Sequence, residues 1–140
     1  MTELELRKQF VATAETYLGC KESNSTHKKI VDLYNNGARP LPRGYRVQYG
    51  DHWCATYTSA MAIKCGHTDI MPLECSCSRL ITLYKNLGRW QENETKFVPQ
   101  PGDLVIYDWD DKKNFAVTDN RGAPEHIGIV VSVTGKKIKV

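Results

Sequence analysis

Gly50-Asp51-His52-Trp53-Cys54-Ala55-Thr56-Tyr57-Thr58-Ser59-Ala60-Met61-Ala62-Ile63-Lys64-Cys65-Gly66 is the stretch around which the rest of the chain can be ordered. Its apolar or small positions Cys54, Tyr57, Thr58, Met61, Ala62 and Cys65 recur at helical spacing, and Gly66 suits the left-handed residue that ends a helix. Cys54 therefore falls in a first helical turn. There the unpaired backbone N–H groups and the positive end of the helix dipole favour an anion, which pushes a thiol toward thiolate. The Cys54 backbone N–H is also suited to an oxyanion hole. By itself a free cysteine is most often a small buried hydrophobe, so a nucleophilic reading needs a base elsewhere in the chain.

A second stretch supplies one. In His126-Ile127-Gly128-Ile129-Val130-Val131-Ser132-Val133 the residues Ile127, Ile129, Val131 and Val133 alternate, which predicts a strand with one apolar face. His126 shares the opposite face with Gly128, where the missing side chain leaves room for another backbone, a helix or a substrate. A histidine at such a strand start can take a thiol proton and return it to a leaving amine. Upstream, Leu104-Val105-Ile106-Tyr107 is an apolar run of strand length, and Gly135-Lys136-Lys137-Ile138-Lys139-Val140 reads as a turn entering another strand.

Before Cys54 the patterns are helical. Thr2 with Glu5 forms a capping box for a helix whose stripe is Leu6, Phe10, Ala14, Tyr17 and Leu18, ending at Gly19. A second helix is expected from Thr26 to Asn36 with Ile30, Val31 and Tyr34 inward. Residues Asn35 to Gly44 are dense in helix breakers and are expected to be a loop, walling the cleft together with Tyr45 and Tyr49. Tyr49 is a candidate to lend its hydroxyl to an oxyanion, with packing as the competing role. After Cys54, a helix from Ser78 to Leu87 carries Leu80, Ile81, Tyr84 and Leu87, with Gly88 as its stop. Helices first and antiparallel strands after make an α+β plan.

The chain has 140 residues, 41% hydrophobic and 25% charged, which fits a single domain over 1–140. Its net charge of +3 is spread along the chain, enough to favour anionic polymers slightly and too diffuse to indicate nucleic-acid binding. Charges interrupt the N-terminal segment where a signal peptide would be apolar, and no membrane span is evident. Five cysteines without an export signal favour reduced thiols. Cys65, His67, Cys75 and Cys77 form a competing candidate, a tetrahedral zinc set, although their one-residue spacings depart from the usual C-x2-C bite. Cys65 is otherwise expected on the buried side of its helix. The Asp108–Asn120 segment is rich in oxygen ligands but lacks EF-hand spacing, and Asp51 is a lone carboxylate ahead of Cys54, so neither is assigned calcium. His27 and His67 are read as surface residues, and the Asn24 and Asn93 glycosylation patterns as accidental.

Trp53-Cys54-Ala55 opening a helix, Pro101-Gly102-Asp103-Leu104-Val105 opening a strand, and Glu125-His126-Ile127-Gly128-Ile129-Val130, in that order, resemble a CHAP domain, the cysteine- and histidine-dependent amidohydrolase/peptidase family. The resemblance implies a papain-like, NlpC-related fold with N-terminal helices packed on a small antiparallel sheet. It also implies cleavage of a peptidoglycan amide bond, as an N-acetylmuramoyl-L-alanine amidase or an endopeptidase, with Cys54 as nucleophile and His126 as base. Trp53, Ser76 and Cys77 are expected to line the substrate cleft, and no cofactor is required. The absence of a signal suggests an endolysin-like protein of phage or prophage origin, made in the cytoplasm, released by a holin or lysis, and acting as a monomer at the wall. In the family a third polar residue follows the histidine strand and orients the imidazole. Its expected position lies beyond Val140, so the chain is expected to be truncated and weakly active or inactive. Asp108 is the in-chain candidate for the orienting role, since Glu125 points to the opposite strand face from His126. The alternative reading is a zinc-stabilised or catalytically inactive wall-binding module.

Overall fold

The computed structural model describes residues 1–21, 24–91, 97–107, 126–135 and 137–140. Its helices are α1 (Glu3–Glu15), α2 (Ser25–Gly37), α3 (Cys54–Cys65) and α4 (Cys77–Asn86), with a 3-10 turn at Pro42–Gly44. The strands β1 (Leu104–Tyr107), β2 (His126–Ile129), β3 (Ser132–Thr134) and β4 (Lys137–Lys139) follow. This is the expected α+β order.

Helix α3 is the hub. Ala55, Thr56, Thr58, Ser59, Ala60, Met61 and Ala62 are all buried, so the helix is enclosed on nearly every side rather than along the single stripe its spacing suggested. Short side chains allow this, because α1, α2, α4 and β2 all pack on it. Two of its buried hydroxyls bond within the fold: Thr58 Oγ1 donates to the Ala55 carbonyl at 3.0 Å, and Ser59 Oγ to the Glu74 carbonyl at 2.8 Å. Gly66 ends α3 at φ 76°, as read from the sequence. Phe10, Ile30, Val31, Tyr34, Met61 and Ile129 build the main core around it, and a smaller cluster joins Ala55, Leu80 and Ile127.

The capping box of α1 is formed, with Glu5 N donating to Thr2 Oγ1 at 3.2 Å and Thr2 N to Glu5 Oε2 at 3.0 Å. The stripe is shorter than expected. The helix stops at Glu15, and the turn beyond it turns Leu18 outward to 81% exposure. Arg7 ties α1 to the start of β1 through Asp103 at 2.6 Å.

Helix α2 runs through Asn36, as its expected span had it, and on to Gly37, so the breaker-dense loop begins after Gly37 and not at Asn35. The Asn35 amide explains the difference. Buried at the helix end, it donates to the Val47 carbonyl and accepts from the Val47 N–H, both at 2.9 Å, in place of a strand partner. Asn35→Ala orphans both buried backbone groups and is expected to lower unfolding free energy by about 2 kcal/mol in urea titrations. Gly37 also fits the helix for a packing reason, since a Cβ there would run into the Ile63 side chain. His27, read as a surface residue, is fully buried on α2, with its ring edge-on to Trp53 at 4.6 Å between centroids.

Strands β1 and β2 pair antiparallel, with Leu104 opposite Ile129 and Tyr107 opposite His126. The alternation expected through Val133 ends early. Ile127 and Ile129 are buried, but so is Val130, because the chain changes partner there: Val130 N–H donates to the Asp103 carbonyl, and Val131 N–H to Lys139. Beyond that hand-over β3 pairs with β4, Ser132 opposite Lys139. The space left by Gly128 is taken by the Val140 side chain, which a Cβ would strike, with Tyr107 Cε2 at 3.7 Å. Helix α4 buries only Leu80 of its expected apolar face, and Leu87 is 56% exposed after the helix end. No helix among the described residues is long and apolar enough to cross a membrane.

Candidate active site

Two helix N-termini meet at a pair of sulfurs. Cys54 is the first residue of α3, and Trp53 before it makes no side-chain cap. Cys77 is the first residue of α4, whose start is set by Ser76 Oγ accepting from Arg79 N at 3.4 Å. The two Sγ atoms lie 3.3 Å apart, within S–H···S hydrogen-bond reach. Cys54 opens into a cleft of about 240 Å3 lined also by His52, Trp53, Tyr57 and His126. His126, the first residue of β2, is stacked with Tyr107 across the β1–β2 pair at 6.0 Å between ring centroids. Trp53 is braced edge-on between His27 and Tyr57, and the Tyr57 hydroxyl donates to the Ala14 carbonyl at 2.9 Å.

The electrostatics favour a thiolate at Cys54. The hydrogen bond from Cys77 is the largest influence on it. Burial opposes ionisation, while the Ile127 and Ala55 N–H groups and the charge of His126 add to the lowering, bringing the Cys54 thiol down to about 5. Cys77, on the other side of this contact, is pushed up first by its hydrogen bond with Cys54 and then by burial. The acid limb of Cys54 alkylation by iodoacetamide is therefore expected near pH 5. In Cys77→Ala that inflection should climb toward the ordinary thiol value of about 8.5, read by mass spectrometry of the Cys54 peptide. An unmoved inflection would show that Cys77 does not govern the ionisation.

An ionisable thiol and an imidazole facing one open cleft, on separate elements, can share nucleophilic and proton-transfer work. Residues 44–140 match the CHAP domain family. The chain belongs to that family. CHAP domains are papain-like cysteine- and histidine-dependent amidohydrolases, and the matched span of this one contains Cys54, Cys77 and His126. No curated protein and no solved structure matches the chain.

The other residues singled out from the sequence are dispersed through this CHAP domain. Trp53 lines the cavity that Cys54 and His126 share, Cys77 abuts Cys54, and Ser76 is the α4 cap. Tyr49 does not serve an oxyanion: its hydroxyl donates to Asp32 at 2.7 Å, and its ring is not part of the cleft wall. Tyr45 lines a neighbouring cavity of about 230 Å3 with Val47, Asp51, His52 and Cys75, and donates to Asp51 at 2.6 Å. The zinc set is not assembled. Cys65 is half-buried with its thiol on Thr13 Oγ1 at 3.2 Å, His67 bonds Gln9 at 2.9 Å, Cys75 lies beside Arg43 and Glu74, and Cys77 meets Cys54. Asp108, Glu125 and the Asp108–Asn120 segment lie outside the described residues.

Sequence reasoning missed the buried Glu74. Its carboxylate accepts from Arg43 and from the N–H groups of Cys75 at 2.9 Å and Ser76 at 3.2 Å, which fixes the approach to α4 and hence Cys77. Burial pushes this carboxyl up, yet Arg43 and the two N–H groups outweigh it and hold it below the usual carboxylate range. Arg43 reaches it from a left-handed backbone position at φ 56°. His52, which borders both cavities, and the sulfur pair were likewise not singled out as such.

Proposed function

We propose that this CHAP domain hydrolyses an amide bond of bacterial peptidoglycan by cysteine catalysis, as an N-acetylmuramoyl-L-alanine amidase or a wall endopeptidase. The observation that carries the reading is the placement of the Cys54 thiol, at the start of α3, in one cleft with His126. The Cys54 thiolate attacks the amide carbon to give a tetrahedral oxyanion, for which the Cys54 backbone N–H is a donor. His126, carrying the thiol's proton, passes it to the leaving nitrogen as the C–N bond breaks, and a thioester remains. Water, deprotonated by His126, then attacks the thioester; Cys54 departs as thiolate and the acid product is released.

The imidazole needs an orienting group. We assign that role to Asp108, the in-chain candidate, and Asp108→Ala is expected to lower the release of wall fragments.

The direct test incubates the chain with purified cell walls, follows turbidity loss, and weighs the released fragments. New amine and acid termini are expected, and the fragment masses name the bond. Walls of several types left intact by the chain would overturn the reading. A spread positive charge, net +3, is compatible with an anionic wall polymer.

A further inference from the structure

We propose that Cys54 and Cys77 are a redox pair that closes an intramolecular disulfide under hydroperoxide and reopens with a dithiol, so that the cleft thiol is reversibly masked. The geometry carries this. The sulfurs are 3.3 Å apart in the reduced protein, so a bond of about 2.05 Å requires each to move by well under one ångström. Both cysteines are the first residues of their helices, where side-chain rotation does not disturb a helical hydrogen bond. The remaining three cysteines are engaged elsewhere: Cys20 with Asn24, Cys65 with Thr13, and Cys75 with Arg43 and Glu74.

The chemistry balances in two steps. The Cys54 thiolate attacks the distal oxygen of the hydroperoxide, breaking the O–O bond; the sulfur becomes a sulfenic acid, and the alkoxide leaves and takes up a proton as the alcohol. The Cys77 sulfur then attacks the Cys54 sulfur, the sulfenic oxygen departs as water with the Cys77 proton, and the S–S bond forms. In sum two thiols are oxidised by two electrons and one hydroperoxide is reduced to an alcohol and water. A thiolate-bearing, partly exposed cysteine beside a second thiol is the arrangement in which resolution outruns further oxidation. The ready ionisation of Cys54 favours the first step.

The disulfide itself does not depend on the proposed hydrolysis; only its masking of activity does. The test uses the full chain with hydrogen peroxide in slight excess, quenched by N-ethylmaleimide and weighed intact. The expected product carries three maleimide adducts in place of five and has lost two hydrogens. Tryptic digestion should join peptide 47–64, which carries Cys54, to peptide 65–79, and because the latter also holds Cys65 and Cys75, fragmentation of the joined pair should place the bridge at Cys77 with maleimide on Cys65 and Cys75; dithiothreitol should restore five adducts. Cys77→Ser should instead accumulate a dimedone-reactive sulfenic acid at Cys54 that proceeds to irreversible oxidation. Five adducts after peroxide, or a bridge to another cysteine, would each overturn the proposal. If the bridge forms on schedule while no wall is ever cleaved, the redox pair stands and the hydrolase reading falls.

Discussion

Cys54→Ala is expected to lower the release of wall fragments by at least about three orders of magnitude, with helical circular dichroism and melting temperature close to those of the parent chain. Removing the nucleophile eliminates the covalent route, while the cleft remains able to bind substrate. The fold should tolerate the change, because Cys54 is only partly buried and its sulfur bonds chiefly to a neighbour at a helix start, not to the main core. His126→Ala should fall by a comparable factor, since residues that act as a unit lose most of their effect when either is removed. Fragment release by Cys54→Ala within tenfold of the parent would remove Cys54 from the mechanism.

Glu74→Ala should produce the largest stability loss, about 3 kcal/mol, or a fall in melting temperature of roughly 10 °C. The carboxylate is 4% exposed, and its removal strands two N–H groups at the start of α4 and leaves Arg43 without its partner. The loss should be pH-dependent. The folded carboxyl is held below its unfolded value of about 4.3, so its stabilisation is complete above that value and disappears as pH falls through the folded one. Urea titrations of the parent and of Glu74→Gln should therefore diverge at neutral pH and converge in the acid range below about pH 4. A gap that stays constant across that range would mean the stabilisation is steric rather than ionic. Because Glu74 positions α4, Glu74→Ala should also weaken the Cys54–Cys77 contact and slow alkylation of Cys54 at pH 6.

Local signals in this chain were readable where they repeat at short range. The Thr2–Glu5 box, the Ile30–Val31–Tyr34 face, the run from Cys54 to Gly66 and the Leu104–Tyr107 strand each depend on residues within a few positions of one another. The candidate nucleophile and base were legible for the same reason: a helix start and a strand start are local features. Breaker density misled at Asn35 because it registers conformational preference and is blind to the Val47 backbone, twelve positions on, that the amide satisfies. Alternation misled at Val130 because it assumes a strand keeps one partner, whereas this one changes from β1 to β4.

By itself, then, the sequence determined the helical order, the α+β plan and the positions of Cys54 and His126 at the ends of their elements. Only tertiary structure decided that His27 is buried against Trp53, that Glu74 finds Arg43 from 31 residues away, and that Cys77 stands beside Cys54 from a separation of 23. Those contacts join groups on different elements, and no periodicity encodes them. They arise because the small residues of α3 let four elements close around it, so the site's chemistry is set by packing that a local reading does not contain.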